Sequence, residues 1–292
     1  MKFVTYELQG EEHAGVLKGE KVYNVHQASN GKVPDDLLEI VKGDYALDRL
    51  ELNDGHDLSQ VKLKAPLPCP ASIRDFYAFE EHVITARGKR GLDVVPEWYE
   101  IPVFYFTNHH AVKGPDEVIA SPKDCEKLDY ELEIACVIGK KGRNIKASEA
   151  SDYLFGYMIM NDWSARDIQA KEMKVGLGPA KGKDFATSFG PYLVTPDELP
   201  LHGELDLKME AYVNGERYSV GNVKDMYYSF GELIERASKD VTLYPGEVIG
   251  SGTVGSGCIL EQTGRDWLKA GDRVELSITH LGSLINVVGG EE

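Results

Sequence analysis

Residues 130–139 read Tyr-Glu-Leu-Glu-Ile-Ala-Cys-Val-Ile-Gly. Side chains alternate faces along a strand, so Glu131 and Glu133 point one way while Leu132 and Ile134 point the other. Taken alone, this is the solvent face of a half-buried strand. The continuation through Ala135–Gly139 is apolar throughout, as in a strand covered on both sides. Such a strand does not carry two same-face carboxylates without a cation to neutralise them. The stretch therefore speaks for a buried sheet and for a metal site at once.

Similar strand-like segments flank it: PVFYFTN (102–108), YLFGYMIMND (153–162), GPYLVT (190–195), LDLKMEAYVNG (205–215) and DRVELSITHLGSLINVV (272–288). Helical spacing is rarer and is best in SARDIQAKEMK (164–174) and MYYSFGELIERASK (226–239). Helices do not alternate regularly with strands, which excludes a doubly wound parallel sheet. The expected fold class is α+β, mostly β, built as a sandwich or rolled sheet. At the N-terminus, KFVTYEL (2–8) and GVLKGEKVYNV (15–25) alternate as a small β-meander. VPDDLLEIVKG (33–43) and DYALDRLEL (44–52) follow with helical spacing. VKLKAPLPCPASI (61–73) is a strand entering a hinge, because Pro66, Pro68 and Pro70 cannot continue a ladder. The expected division is a small β-rich domain, 1–68, and a larger catalytic domain, 69–292.

The chain has 292 residues and a net charge of −16, with no run of Lys or Arg, which argues against nucleic acid and anionic membranes as partners. No apolar run reaches the roughly 18 residues of a membrane helix, and MKFVTYELQGEE turns polar too soon for a signal peptide. Four cysteines (69, 125, 136, 258) form no CxxC pair. The expected location is the cytoplasm.

Further candidates surround the Glu131/Glu133 pair. Asp162 ends a buried strand just before Ser164–Asp167, read as a capping box opening a helix; it is equally readable as a turn residue. Asp75, in SIRDFYAFEEHV just past the hinge, is otherwise a surface-loop carboxylate. Carboxylates with no Cys or His nearby in sequence suit a hard cation, Mg²⁺ or Ca²⁺, with Mn²⁺ possible. Arg166, Gln169 and Met173 share one helix face, which is either solvated or turned to a substrate oxygen. Lys183, like Lys181, lies in the Gly-flanked GPAKGKDFATSFGP (178–191), as a ligand contact or a loop lysine. His82 follows Asp75 by seven positions and, were that stretch helical, would lie on the same side as a general base; exposure is the plainer reading. His109-His110 is discounted as a metal pair, since neighbours on a strand face opposite ways. The glycine-rich GSGTVGSGCILEQ (250–262), with Thr253 and Glu261, is a phosphate cradle or a substrate loop; no Walker-type or GxGxxG context supports a nucleotide.

In order, DYELEIACVIG (129–139), MNDWSARDIQ (160–169) and KGKDFATSFGPYLVT (181–195) closely resemble the fumarylacetoacetate hydrolase family, the second most specifically. The resemblance spans roughly residues 70–290 and looks like the smaller prokaryotic members. It implies a β-roll body with a small N-terminal β domain, usually dimeric, and a small-molecule keto-acid substrate. Residue by residue, Glu131, Glu133, Asp162 and Asp75 look like its metal carboxylates, with Mg²⁺ the first choice of cation. His82 resembles its general base and Glu261 the acid that orients it. Arg166, Gln169 and Lys183 resemble the polar groups around the scissile carbonyl. Tyr77, Thr253, Tyr105 and Arg87 resemble substrate contacts, and Met173 stands where the vertebrate-type enzyme has a substrate-contacting tyrosine. The implied activity is hydrolysis of a carbon–carbon bond in a β-diketo acid such as fumarylacetoacetate or an acylpyruvate, as in aromatic amino acid catabolism. Alternatives are decarboxylation of oxaloacetate or isomerisation and dehydration of related keto acids. A catalytically idle, metal-stabilised dimer that binds keto acids is the alternative of another class.

Overall fold

The computed structural model describes residues 1–199 and 205–290. The strands that build the molecule are β1 (Lys2–Leu8), β2 (Glu11–Lys18), β3 (Lys21–Asn24), β4 (Ser72–Phe76), β5 (Phe104–Thr107), β6 (Leu132–Ile138), β7 (Leu154–Asp162), β8 (Thr187–Val194), β9 (Lys208–Val213), β10 (Glu216–Asn222), β11 (Glu247–Gly250), β12 (Arg273–Ile278) and β13 (Gly282–Val288). The helices used below are α1 (Leu37–Lys42), α2 (Glu80–Gly88), α3 (Arg166–Val175) and α4 (Phe230–Ser238). The main sheet runs β3-β2-β1-β8-β7-β6-β11-β4-β5, and a second sheet runs β10-β9-β12-β13. Both are mixed: β11 and β4 run parallel, as do β8 and the short Val112–Lys113 strand, and β13 and the short Val118–Ile119 strand, among otherwise antiparallel neighbours. This is the expected mostly-β α+β architecture. Among the described residues, no helix is long and apolar enough to cross a membrane.

The central strand β6 is buried along its whole length, and its two faces meet different cores. Leu132, Ile134, Cys136 and Ile138 join Met209, Ala211, Leu276 and Leu284 of the second sheet. Ala135 and Val137, on the opposite face, join Met158 and Met160 of β7, Ile73 of β4, and Leu37, Ile40 and Val41 of α1. Burying a Leu- or Ile-sized side chain is worth about 1.5–3 kcal/mol, so both faces contribute to stability. The period-two rule extends the second face to Glu133, Asp75 and Asp162, one pleat beyond Ala135, Ile73 and Met160. Register agrees: Glu133 pairs with Met160, Ala135 with Gly250, and Gly250 with Asp75. An apolar sheet face thus ends in carboxylates.

The N-terminal residues extend the same sheet. β1 pairs with β8 through Lys2–Val194 and Phe3–Leu193, and Phe3 packs in the core shared with Ala135 and Met158. The Pro66–Pro70 stretch is irregular and leads directly into β4. Two helical expectations change. DYALDRLEL forms only the 3₁₀ turn Leu47–Arg49; its apolar residues 47 and 50 are three apart, the period of a 3₁₀ turn. Ser164–Asp167 makes no capping box: Ser164 and Ala165 form a short strand with Leu128–Asp129, and α3 opens at Arg166 with no side-chain cap. Ser164 instead donates to the Asp162 carbonyl. Capping boxes form instead at α4, between Ser229 and Glu232, and at the 3₁₀ turn Leu58–Gln60, between Asp57 and Gln60.

Candidate active site

Four carboxylates converge, three from the strands β4, β6 and β7 and one from the residue just before β6. Asp75, Glu131, Glu133 and Asp162 are all buried and each offers an oxygen within 4.8 Å of the others. Glu131 lies just ahead of β6 and not within it, its backbone N–H fixed by the Asn161 side chain at 2.9 Å. Asp75 is a buried strand residue, neither a surface-loop carboxylate nor a helical neighbour of His82. Oδ1 of Asp75 accepts from the Gly252 N–H at 3.2 Å. A side chain at Gly252 would overlap the Phe76 carbonyl, and its φ of +79° is strained for other residues, so glycine lets the 251–257 loop reach this carboxylate.

Burial, with Asp162 close by, pushes Asp75 well above the usual carboxylate range; burial and then Asp75 do the same to Glu133. For Glu131 burial acts upward too, but Lys183 and Arg166 outweigh it and hold this group below its ordinary value. Lys183 donates to Glu131 and, at 2.7 Å, to Asp162 Oδ2. Burial opposes its charge, yet Asp162 and Glu131 raise it further. Tyr105 donates to the same Asp162 oxygen at 2.5 Å.

One ammonium does not satisfy four acids. Oε2 of Glu133 and Oδ1 of Asp162 are buried with no hydrogen-bond partner. Unsatisfied buried polar atoms are costly, and an all-oxygen donor set with orphaned lone pairs fits a hard divalent cation.

Asp75, Glu131 and Glu133 of this cluster form the floor of a cavity of about 780 Å³. His82 and Arg87 of α2, Arg166, Gln169 and Met173 of α3, Lys183, Tyr77, Tyr105 and Thr253 all line it. The α3 face read from sequence is therefore turned to the cavity. Arg166 donates to Gln169 Oε1 at 3.1 Å, which leaves the Gln169 amide N–H groups for the cavity. His82 is 4% exposed, and its Nδ1 lies 3.2 Å from Oε2 of Glu261, off the line of a hydrogen bond. Tyr77 packs edge-on against the His82 ring, and burial pushes its phenol up to about 12. Thr253 lies 3.4 Å from Glu133 Oε1. Lys181 is an exposed loop lysine paired with Asp184. His109 and His110 stack in a turn and not on a strand, outside the candidate metal groups among the described residues.

Sequence reasoning passed over Asp129 and Arg90. Asp129 is fully buried and accepts from Arg166 Nε at 2.8 Å, Ile259 N–H at 2.8 Å and Leu260 N–H at 3.1 Å. Arg166 also donates to Glu131 Oε1 at 2.7 Å, so Asp129 ties the floor of the site to the turn carrying Glu261. An acid at a third alternate position, 129, 131 and 133, was its signal. Arg90 lines the cavity one turn beyond Arg87, a spacing that could have found it.

The family model described as fumarylacetoacetate (FAA) hydrolase, C-terminal, matches residues 71–289. Oxaloacetate tautomerase YisK of Bacillus subtilis is 33% identical over 315 residues, covering 99% of this chain and 100% of that protein. Fumarylacetoacetate hydrolase from psychrophilic Exiguobacterium antarcticum superposes with a TM-score of 0.83 at 28% identity, covering 100% of each chain. Maleylpyruvate hydrolase of Sphingobium sp. SYK-6, solved with manganese(II) and pyruvate, gives a TM-score of 0.75 at 21% identity over 100% of each chain, a likeness of fold alone.

Proposed function

The chain belongs to the fumarylacetoacetate hydrolase family, and from that premise we propose that it is a metal-dependent hydrolase of a carbon–carbon bond in a β-diketo acid, of the acylpyruvate type. The observation that carries this reading is the buried His82 beside Glu261, opening on the same cavity as Asp75, Glu131 and Glu133 of the four-carboxylate cluster. Asp75, Glu131, Glu133 and Asp162 would hold the divalent cation, Mg²⁺ by preference because it is a hard ion that binds through carboxylates while keeping water ligands, or Mn²⁺ or Ca²⁺. When bound, the cation supplies Lewis acidity toward the diketo oxygens and a sink for enolate charge.

The residues perform the remainder. Glu261 faces Nδ1 of His82 and orients the ring, leaving Nε2 to take a proton from a water in the cavity. Lys183, held by Glu131 and Asp162, and the Gln169 amide donate to the oxyanion formed as that water adds to the carbonyl. The protonated His82 then returns its proton to the departing enolate carbon as the carbon–carbon bond breaks. Arg87, Thr253, Tyr77 and Tyr105 surround the carboxylate and acyl ends of the substrate, and Met173 adds an apolar contact.

A second reading, keto–enol tautomerisation of oxaloacetate, is favoured by the full-length likeness to YisK. It needs a proton moved between carbon and oxygen but no attacking water. Incubating the Mg²⁺-loaded protein with an acylpyruvate and following loss of the diketo absorbance with release of pyruvate tests the leading reading. Absorbance loss on enol-oxaloacetate with an inert acylpyruvate would replace it by the second. We propose also that the chain works as a homodimer, supported by exposed Leu92, Val95, Ile101, Val103 and Phe106; light scattering of the purified protein tests it, and a monomer mass would refute it.

A further inference from the structure

Behind the ring of His82 a second set of donors converges, of different chemistry from the four carboxylates. His82, Cys258 and Glu261 each place a potential ligand atom within 4.8 Å of the others. Oε2 of Glu261 is 3.2 Å from Nδ1 of His82 and 3.5 Å from Sγ of Cys258. A tetrahedral ion with bonds of about 2.0–2.3 Å holds its ligand atoms roughly 3.3–3.8 Å apart, so both spacings already approach those of a closed site. Nδ1 of His82 and Oε1 of Glu261 are buried and unpartnered, the first aimed at the carboxylate. Buried polar groups in folded proteins are ordinarily satisfied, and two orphans in one cluster mark a place where a ligand would complete the set.

The hardness of the donors selects the ion. Imidazole, thiol and carboxylate suit zinc or cadmium, whereas the all-oxygen cluster suits magnesium.

We propose that His82, Cys258 and Glu261 form a second cation site, thiophilic and distinct from the carboxylate cluster, which takes Zn²⁺ or Cd²⁺. On binding, the Cys258 thiol releases its proton to solvent and the thiolate, the imidazole nitrogen and the carboxylate ligate the ion, with water completing the shell. The consequence for catalysis, loss of His82 as a base, rests on the hydrolase reading; the site itself does not.

The probe is Cd²⁺, titrated into Mg²⁺-saturated protein while the thiolate-to-cadmium charge-transfer band is followed in the ultraviolet. Cys69→Ser and Cys125→Ser form the background, because Cys69 Sγ lies 3.4 Å from His110 Nδ1 and Cys125 is only half-buried. One equivalent of band is expected in the background, and Cys258→Ser should abolish it. Glu261→Gln, which keeps the thiol and the side-chain shape, and His82→Ala should each weaken Cd²⁺ by about tenfold or more. No band in the background, an undiminished band in Cys258→Ser, or unchanged affinity in Glu261→Gln or His82→Ala would each overturn the proposal. The titration contains no substrate, so its failure leaves the hydrolase reading standing, and failure of that reading leaves the titration intact.

Discussion

At the scale of single residues, the site depends on buried charges that cannot be removed one at a time. His82→Ala should lower turnover by about 10²–10⁴, the usual contribution of a general base, while calorimetric Mg²⁺ affinity stays as in the native chain. Unchanged turnover would remove His82 from the mechanism. Asp129 makes a different kind of claim, because it touches no cavity and still holds Arg166, Ile259 and Leu260. Asp129→Ala should cost about 3–5 kcal/mol in a denaturant melt, since it strips one partner from a buried ion pair. A loss under 1 kcal/mol would show that Glu131 alone suffices for Arg166. The acids at 131, 133 and 162 were legible in sequence because each sits where an apolar strand pattern breaks. Asp129 continues their alternation, but its role was hidden, because its partners are the Arg166 side chain and backbone groups some 130 positions away that no local pattern announces.

At the scale of elements, alternation along β6 foretold which side chains share a face, and the neighbouring strands obey the same rule at the same level. What sequence could not supply was register. Nothing in SIRDFYAF places Asp75 opposite Gly250; the parallel pairing of β4 with β11 does. The capping box was misassigned for a related reason. Ser164–Asp167 has the right letters, but Ala165 is recruited to a two-stranded ladder with Leu128 and the helix starts later. The loop after β11 gives an element-scale test. Gly252→Ala should destabilise the fold by roughly 1–3 kcal/mol, because alanine is strained at this φ and its methyl would meet the Phe76 carbonyl. It should also weaken Mg²⁺ binding, since the Gly252 N–H contacts Asp75. A variant equal to the native protein in both respects would mean that the loop is not what positions that carboxylate.

At the scale of the whole molecule, the sheet is continuous from the N-terminal meander to β5, across the Pro-rich hinge that the sequence marks as a boundary. Proline shows where a ladder stops, but not that β1 returns to pair with β8 some 190 residues later. Folding buries an acid cluster within this sheet, and that links stability to pH. Asp75 and Glu133 are raised in the fold, so the folded metal-free chain holds more protons than the unfolded one above the ordinary carboxylate value of about 4. Their contribution to stability therefore falls as pH climbs from there toward their raised values. A cation displaces those protons, so the rise in Tm on adding Mg²⁺ should be larger at pH 8 than at pH 5. An increment independent of pH would mean that the cation does not bind at these acids.

The account stands on four distant carboxylates meeting around one ion, and calorimetric titration of Mn²⁺ into chelator-treated protein measures this most directly. Native chain should bind one equivalent at the cluster with Mg²⁺ as competitor, and Glu133→Gln, equal in size but uncharged, should bind about 100-fold more weakly or not at all. Equal affinity in the two proteins, or no competition from Mg²⁺, would contradict it.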